Sequence, residues 1–168
     1  FLEACLGSVA GQSFSDWQTL VLDDGSRDDS LQVAAKWADR DARFLVQANE
    51  RNLGTYGSQQ RALEMSDSEF VAILNSDDFW KPEKLELQVA ALDAEPSASA
   101  CYVLGHTVGA DGSDLGLDVH ADWPRLPIQR RIPHLLYENR ILASGVLFRR
   151  QGLRFETSCR YSGDWVAL

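Results

Sequence analysis

Phe70-Val71-Ala72-Ile73-Leu74-Asn75-Ser76-Asp77-Asp78-Phe79-Trp80-Lys81-Pro82-Glu83 is the most informative segment of the chain. Phe70 to Leu74 has the length and apolar content of a buried strand. Pro82 suits the first turn of a helix, where the ring presets φ and the missing N–H has no intrahelical partner anyway. Two adjacent carboxylates, Asp77 and Asp78, therefore fall between the carboxyl end of a strand and the start of a helix. In open α/β sheets ligands bind at such places. Paired acids there can hold a divalent cation, and the cation can hold a diphosphate. The plainer alternative is that both aspartates serve a turn or cap the following helix.

The preceding residues supply context. Trp17 to Leu22 reads as a short strand that ends in Asp23-Asp24-Gly25-Ser26, a second acidic pair. Asp28 or Asp29 is placed to cap a helix whose Leu31, Ala34, Ala35 and Ala38 fall at helical spacing. Arg43 to Gln47 is a second strand, 49–57 a polar loop, Ser58 to Met65 a helix and Glu69 to Leu74 the third strand. Leu85, Val89 and Leu92 mark a helix after the acidic pair. This alternation predicts βαβ units and a largely parallel sheet with right-handed crossovers. Asp24 and the Asp77–Asp78 pair are then expected to face one crevice. A carboxylate only accepts, so Asp24 suits an N–H of a base or a sugar hydroxyl, with an Asp-Gly turn as the plainer alternative.

From about residue 98 the pattern changes. Ala98 to His106 reads as a strand, Asp111-Gly112 as a turn, 113–128 as irregular, Arg131 to Tyr137 as a short helix and Gly145 to Arg149 as another strand. The length of 168 residues suits one domain. A formal charge of −9, from 16 basic and 25 acidic side chains, argues against a nucleic-acid binder that relies on a broad basic surface. Cys5, Cys101 and Cys159 form no CxxC pair and read as free thiols in a reducing compartment; His106, His120 and His134 have no metal-ligand spacing. No apolar run approaches the ~20 residues of a transmembrane helix. Phe1 to Leu6 reads as a helix already under way and Gly163 to Leu168 as an interrupted apolar pattern, so a fragment of a longer protein is expected.

Several segments together resemble the family 2 glycosyltransferases of the GT-A fold. They are Gln12-Ser13-Phe14-Ser15-Asp16-Trp17, Val21 to Asp28, Asn52-Leu53-Gly54, Phe70 to Leu85, Ser144 to Arg150 and Gly163-Asp164-Trp165, and they occur in the family's order. The resemblance implies an α/β, Rossmann-like GT-A domain with a mostly parallel central sheet flanked by helices and an irregular second half. Residues 1–97 match the nucleotide-sugar-binding half and 98–168 the acceptor side, truncated at both ends and beginning after the family's first strand. It further implies that Asp24 contacts the nucleotide base, Asp77 lies near the ribose and metal, Asp78 holds Mn²⁺ or Mg²⁺ on the diphosphate, and Asp164 is the catalytic base. One base with no second carboxylate nucleophile implies direct displacement with inversion at the anomeric carbon. The donor expected is a nucleotide-sugar, a UDP-sugar first. The acceptor expected is a saccharide or lipid-linked glycan, handled in the cytoplasm at the inner membrane surface.

The sequence departs from the family at Asn75, where an acid is commoner, at Ser58-Gln59-Gln60, where Ala-Arg-Asn is common, and at Gly163, where Glu often precedes the base. Asn75, Gln59 and the missing first strand lend some weight to the alternative of a non-catalytic GT-A-like module that binds a nucleotide or a protein. A nucleotidyltransferase is disfavoured, because there is no glycine-rich phosphate loop with its Lys or Arg. Asp164 can also be read as a helix cap, Arg149 and Arg150 as a solvated face or a phosphate contact, and Trp80 and Trp165 as pocket wall or sugar-stacking rings.

Overall fold

Leu6 and Val9, spaced to share a helical face, are both buried on α1 (Leu2–Ala10), the first element of a computed structural model that describes residues 1–117 and 141–158. There follow β1 (Thr19–Asp23), α2 (Ser30–Arg40), β2 (Phe44–Ala48), α3 (Gly54–Glu64), β3 (Phe70–Ala72) and α4 (Lys84–Ala94). The later elements are β4 (Ala100–Tyr102), β5 (His106–Val108), β6 (Asp114–Leu117), a 3₁₀ turn over Ala143–Gly145 and β7 (Val146–Arg149). The strand expected over Ala98 to His106 is thus two strands, and β5 joins β6 in a hairpin around Asp111-Gly112. The helix expected over Arg131 to Tyr137, and Cys159, His120 and His134, lie outside the described residues.

Two boundaries shift for reasons of hydrogen bonding. β1 runs on to Asp23 because its carbonyl accepts the Asn49 N–H at 2.8 Å. α3 starts at Gly54, before the expected Ser58, because the Asp24 carboxylate accepts the N–H groups of Leu53 and Gly54, two of the donors that a helix start leaves unpaired. Gly54 has φ +74°, a conformation in which a side chain is strained.

β1 and β2 are parallel, in register from Thr19↔Phe44 to Asp23↔Ala48, with α2 as the crossover. β3 pairs antiparallel with β7, and β7 antiparallel with β4. Among the described residues the parallel pairing is therefore confined to β1 and β2, while the α/β architecture stands. The reason lies in β7 itself: Val146, Leu147 and Phe148 are all buried, and a continuous apolar run covered on both faces belongs in the middle of a sheet. The second half of the chain thus contributes the central strand, between β3 of the first half and β4 of its own. β1 and β3 are not hydrogen-bonded to each other. A cleft of about 1430 Å³ is lined by both, and by Cys5, Leu6 and Val9 of α1.

The core has two clusters. Leu6, Val9 and Phe44 centre one; Leu85, Leu92 and Leu147 centre the other; Trp17 and Trp80 pack against both. Trp17 meets Phe44 edge to face at 5.2 Å and carries the Arg43 guanidinium 3.8 Å from its ring centroid. Gln88, 1% exposed, donates to the carbonyls of Cys101 and Gly145 at 2.8 and 2.9 Å and so links α4 to β4 and to the turn before β7. Its Oε1 accepts Lys84 Nζ at 2.6 Å, and that ammonium also lies 4.2 Å from the Trp80 ring. Among the described residues no carboxylate pairs with Lys84.

Burial pushes the Lys84 ammonium down to about 8. Its folded value is then below its unfolded one, so burying the charged form costs stability in full below about pH 8 and the cost fades as pH rises toward the unfolded value, ~10.4. Relative to Lys84→Met, the wild type should gain on the order of 2–3 kcal/mol between roughly pH 7 and pH 10. Urea unfolding of both proteins across that range measures it, and a difference independent of pH would refute the assignment.

Candidate active site

The acidic loop is a turn pinned from three directions. The Asp78 N–H donates to the Asn75 carbonyl at 3.1 Å, closing the turn at the exit from β3. Cys5 Sγ on α1 reaches the same carbonyl at 3.6 Å, and Ser8 Oγ accepts the Trp80 N–H at 3.0 Å. From the far end of the chain, Ser144 Oγ accepts the Asn75 N–H at 3.0 Å and donates to Asp78 Oδ2 at 2.6 Å, while its carbonyl accepts Trp80 Nε1 at 2.7 Å. Asn75 Nδ2 also donates to Asp78 Oδ2, at 3.3 Å.

The helix-capping alternative does not describe these acids. α4 begins at Lys84, and its Leu85 N–H is received by Gln12 Oε1 at 3.0 Å. The turn alternative holds for the backbone and leaves the carboxylates available. Among the described residues Asp77 makes no hydrogen bond or ion pair, and Asp78 Oδ1 receives no donor. Burial first, and then the negative charges of Asp78 and Asp77, raise the Cys5 thiol to about 11, so it stays protonated beneath the loop.

Asp24 is placed differently. Its Oδ1 accepts Asn49 Nδ2 and the Leu53 N–H, both at 2.7 Å; its Oδ2 accepts the Gly54 N–H at 2.8 Å. Its own carbonyl accepts Asn52 Nδ2 at 2.8 Å. Burial raises the Asp24 carboxyl, but the donors at Leu53, Asn49, Ser58 and Gly54 outweigh it and hold the group below the ordinary carboxylate value. Asn49, itself buried, also donates to Ser58 Oγ at 2.8 Å and accepts from Arg61. Asp24 thus fastens the Asn52–Gly54 loop to the end of β1 from the N-terminus of α3, where a negative charge is favoured. The neighbouring Asp23 makes the turn that the Asp-Gly pair suggests, accepting the N–H groups of Gly25 and Ser26.

Asp24 and Asp77 line the same cleft, together with Thr55, Ser58, Gln59 and Asn75. Asp164 and Trp165 lie outside the described residues. Arg149 and Arg150 neither form a solvated face nor stand ready for phosphate. Arg149 donates to the carbonyls of Ala98 and Leu92 and pairs with Glu69 at 3.0 Å, and Arg150 donates to the Leu63 carbonyl. Trp80 is a half-buried wall between the two core clusters. Ser144, Asn49 and Gln12 were not legible as site residues, because each acts on a segment at least 25 positions away, except where Asn49 meets its near neighbours. The available signal was that Gln12 and Ser144 each open a segment of the family pattern.

Among the described residues no three His, Cys, Asp or Glu side chains are grouped to hold a metal by themselves. The donor set fits a different mode. Asp77 and Asp78 offer hard oxygens, and Mg²⁺ or Mn²⁺ is commonly held by one or two carboxylates together with substrate phosphates and water.

The glycosyl transferase family 2 model matches residues 1–153. TuaG of Bacillus subtilis, a glycosyltransferase named for teichuronic acid biosynthesis, is 31% identical over 121 residues, which are 72% of this chain and 48% of TuaG. WfgD of Escherichia coli, a UDP-Glc:alpha-D-GlcNAc-diphosphoundecaprenol beta-1,3-glucosyltransferase, is 33% identical over 91 residues, 54% of this chain and 35% of WfgD. The chain therefore spans about half or less of the length of these relatives. Among solved structures, Staphylococcus aureus TarS (residues 1–349, in complex with UDP) superposes with a TM-score of 0.72 at 21% identity, covering 99% of this chain and 49% of that one. The mannosyltransferase PcManGT of Pyrobaculum calidifontis, in complex with GDP-Man and Mn²⁺, gives 0.64 at 18% identity, covering 93% and 44%. These likenesses establish the GT-A fold, and the family model establishes the lineage: the chain belongs to glycosyl transferase family 2.

Proposed function

We propose that this chain is the donor-binding portion of an inverting glycosyltransferase that moves a sugar from a nucleotide-diphospho-sugar, a UDP-sugar first, to a saccharide or lipid-linked acceptor. The observation that carries this reading is the disposition of carboxylates: Asp24 and Asp77 line one cleft, and Asp78, beside Asp77, keeps an oxygen without a protein donor among the described residues. UDP in TarS, GDP-Man with Mn²⁺ in PcManGT and the diphospholipid in the name of WfgD support donor and acceptor classes of this kind.

In this reading residues 1–97 bind the donor and 98–168 shape the acceptor side. A bound Mn²⁺ or Mg²⁺ supplies charge that stabilises the departing diphosphate. Asp78, with Asp77 beside it, would hold that ion. Asp24 contacts the nucleotide base through its remaining lone pairs, and it fastens the Asn52–Gly54 loop beside that contact. Asp164 removes the proton from the acceptor hydroxyl as it attacks. Among the described residues no helix is long and apolar enough to cross a membrane; the lipid-linked acceptor in the name of WfgD supports work at a membrane surface, which this reading puts on the cytoplasmic side.

One observation favours the second reading, a non-catalytic module: Asn75 donates to Asp78 where an acid would supply another ligand. Calorimetry with UDP separates the two. The transferase reading predicts binding strengthened by Mn²⁺ and weakened in Asp78→Ala by on the order of tenfold or more; binding indifferent to Mn²⁺ in wild type would sink it. In the full-length protein, Asp164→Asn should lower turnover by roughly 10²–10⁴ with donor affinity kept, and full activity in that variant would remove the base assignment. Asp24→Ala should cost roughly 1–3 kcal/mol of stability, because the Leu53 and Gly54 N–H groups lose their acceptor. The charge-dependent part of the penalty should be fully present above the unfolded carboxyl value, ~3.9, and be lost as pH falls through the lower folded value, which thermal melts from about pH 7 to pH 2 would follow.

A further inference from the structure

We propose that Ser144 is a positioning residue for Asp78, fixing which carboxylate oxygen is left for a divalent cation; this rests on the metal role of Asp78 given above. The direction of the hydrogen bonds is set by their donors. The Asn75 N–H can only donate, so Ser144 Oγ accepts it at 3.0 Å. The hydroxyl has one proton, and that proton goes to Asp78 Oδ2, 2.6 Å away. A hydroxyl donating to an ionised carboxylate at this length is among the stronger hydrogen bonds. With Asn75 Nδ2 on the same oxygen, Oδ2 is engaged twice and Oδ1 not at all among the described residues.

Ser144 is itself held firmly. It is 8% exposed, its carbonyl accepts Trp80 Nε1, and the next residue is fastened by Gln88 and by the Val103 N–H to its carbonyl. A Cβ on Gly145 would lie 2.8 Å from the Val103 carbonyl oxygen, so the backbone there has no room to drift. The acid loop therefore takes its carboxylate orientation from the turn that leads into β7, the central strand of its sheet. Groups that orient a metal-binding carboxylate in this way typically govern metal affinity by 10–100-fold. A side chain with a purely structural role would change nucleotide binding with and without metal alike.

The test is Mn²⁺ affinity of the full-length protein, read by calorimetry and by the electron paramagnetic resonance of free Mn²⁺, with UDP present, beside UDP affinity without metal. Ser144→Ala should weaken Mn²⁺ binding by roughly 10–100-fold and leave metal-free UDP binding unchanged. Ser144→Thr, which keeps the hydroxyl, should restore most of the affinity. If the alanine variant does not fold, Ser144→Cys keeps the volume with a poor donor and should weaken binding in the same sense. Wild-type Mn²⁺ affinity in a folded Ala or Cys variant, with Asp78→Ala binding none, would overturn the role of Ser144 and leave the metal site standing. Wild-type protein that takes up no Mn²⁺ with UDP would overturn the metal site, and this inference with it.

Discussion

The hydrogen bond from Ser144 to Asp78 joins the two parts of the chain at the place where chemistry is expected. Everything around it serves that junction. β7 is apolar enough to occupy the centre of its sheet, and this delivers the preceding turn to the exit of β3. Gln88 reaches from α4 to hold the turn, and Trp80 closes over it from the acid loop. Without the pairing of β3 with β7 the two aspartates would sit on a loop tied only to α1, through Cys5 and Ser8.

The aspartates are put to contrasting uses. Asp24 uses much of its charge inside the protein: donors at Asn49, Leu53 and Gly54 converge on it, which organises the loop and lowers its proton affinity. Asp77 and one oxygen of Asp78 keep theirs for an outside partner. Burial first, and then the repulsion that Asp78 and Asp77 exert on a thiolate, raises the Cys5 thiol beneath them. A divalent cation would offset the charge of the two carboxylates, and a diphosphate would bring the oxygens that complete its coordination. The overall charge of −9 is no obstacle to an anionic ligand under those terms, because the local charge seen by the diphosphate is that of the cation.

Much of the fold could be read from period and punctuation. The strand–helix alternation through α4 rests on local signals, namely apolar runs, the Asp28 carboxylate that receives the Ser30 N–H, and Pro82 before α4. The antiparallel insertion of β7 could not be read, because nothing in Val146 to Arg149 says which strands it will join. Nor could the part played by Asp24: its donors lie at 49, 53 and 54, and the fastening depends on Gly54 taking a positive φ. Arg149 and Arg150 looked like surface charges because the carbonyls they satisfy belong to distant helices and loops. The apolar run, the paired acids and Pro82 marked the acid loop; what holds it, from Cys5, Ser8 and Ser144, comes from segments distant in sequence.

The central claim is that Asp77 and the Oδ1 oxygen of Asp78, the one Ser144 leaves free, hold one divalent cation beside the cleft that Asp24 also lines. Paramagnetic broadening by Mn²⁺ in the presence of UDP measures this directly on an amide-resolved spectrum. The account predicts selective loss of the Asp77, Asp78 and Ser144 amide signals, with weaker broadening at Leu53 and Gly54 and none along α2. Broadening centred instead on the exposed carboxylates of Asp111 and Asp114, with the acid loop unaffected, would contradict it.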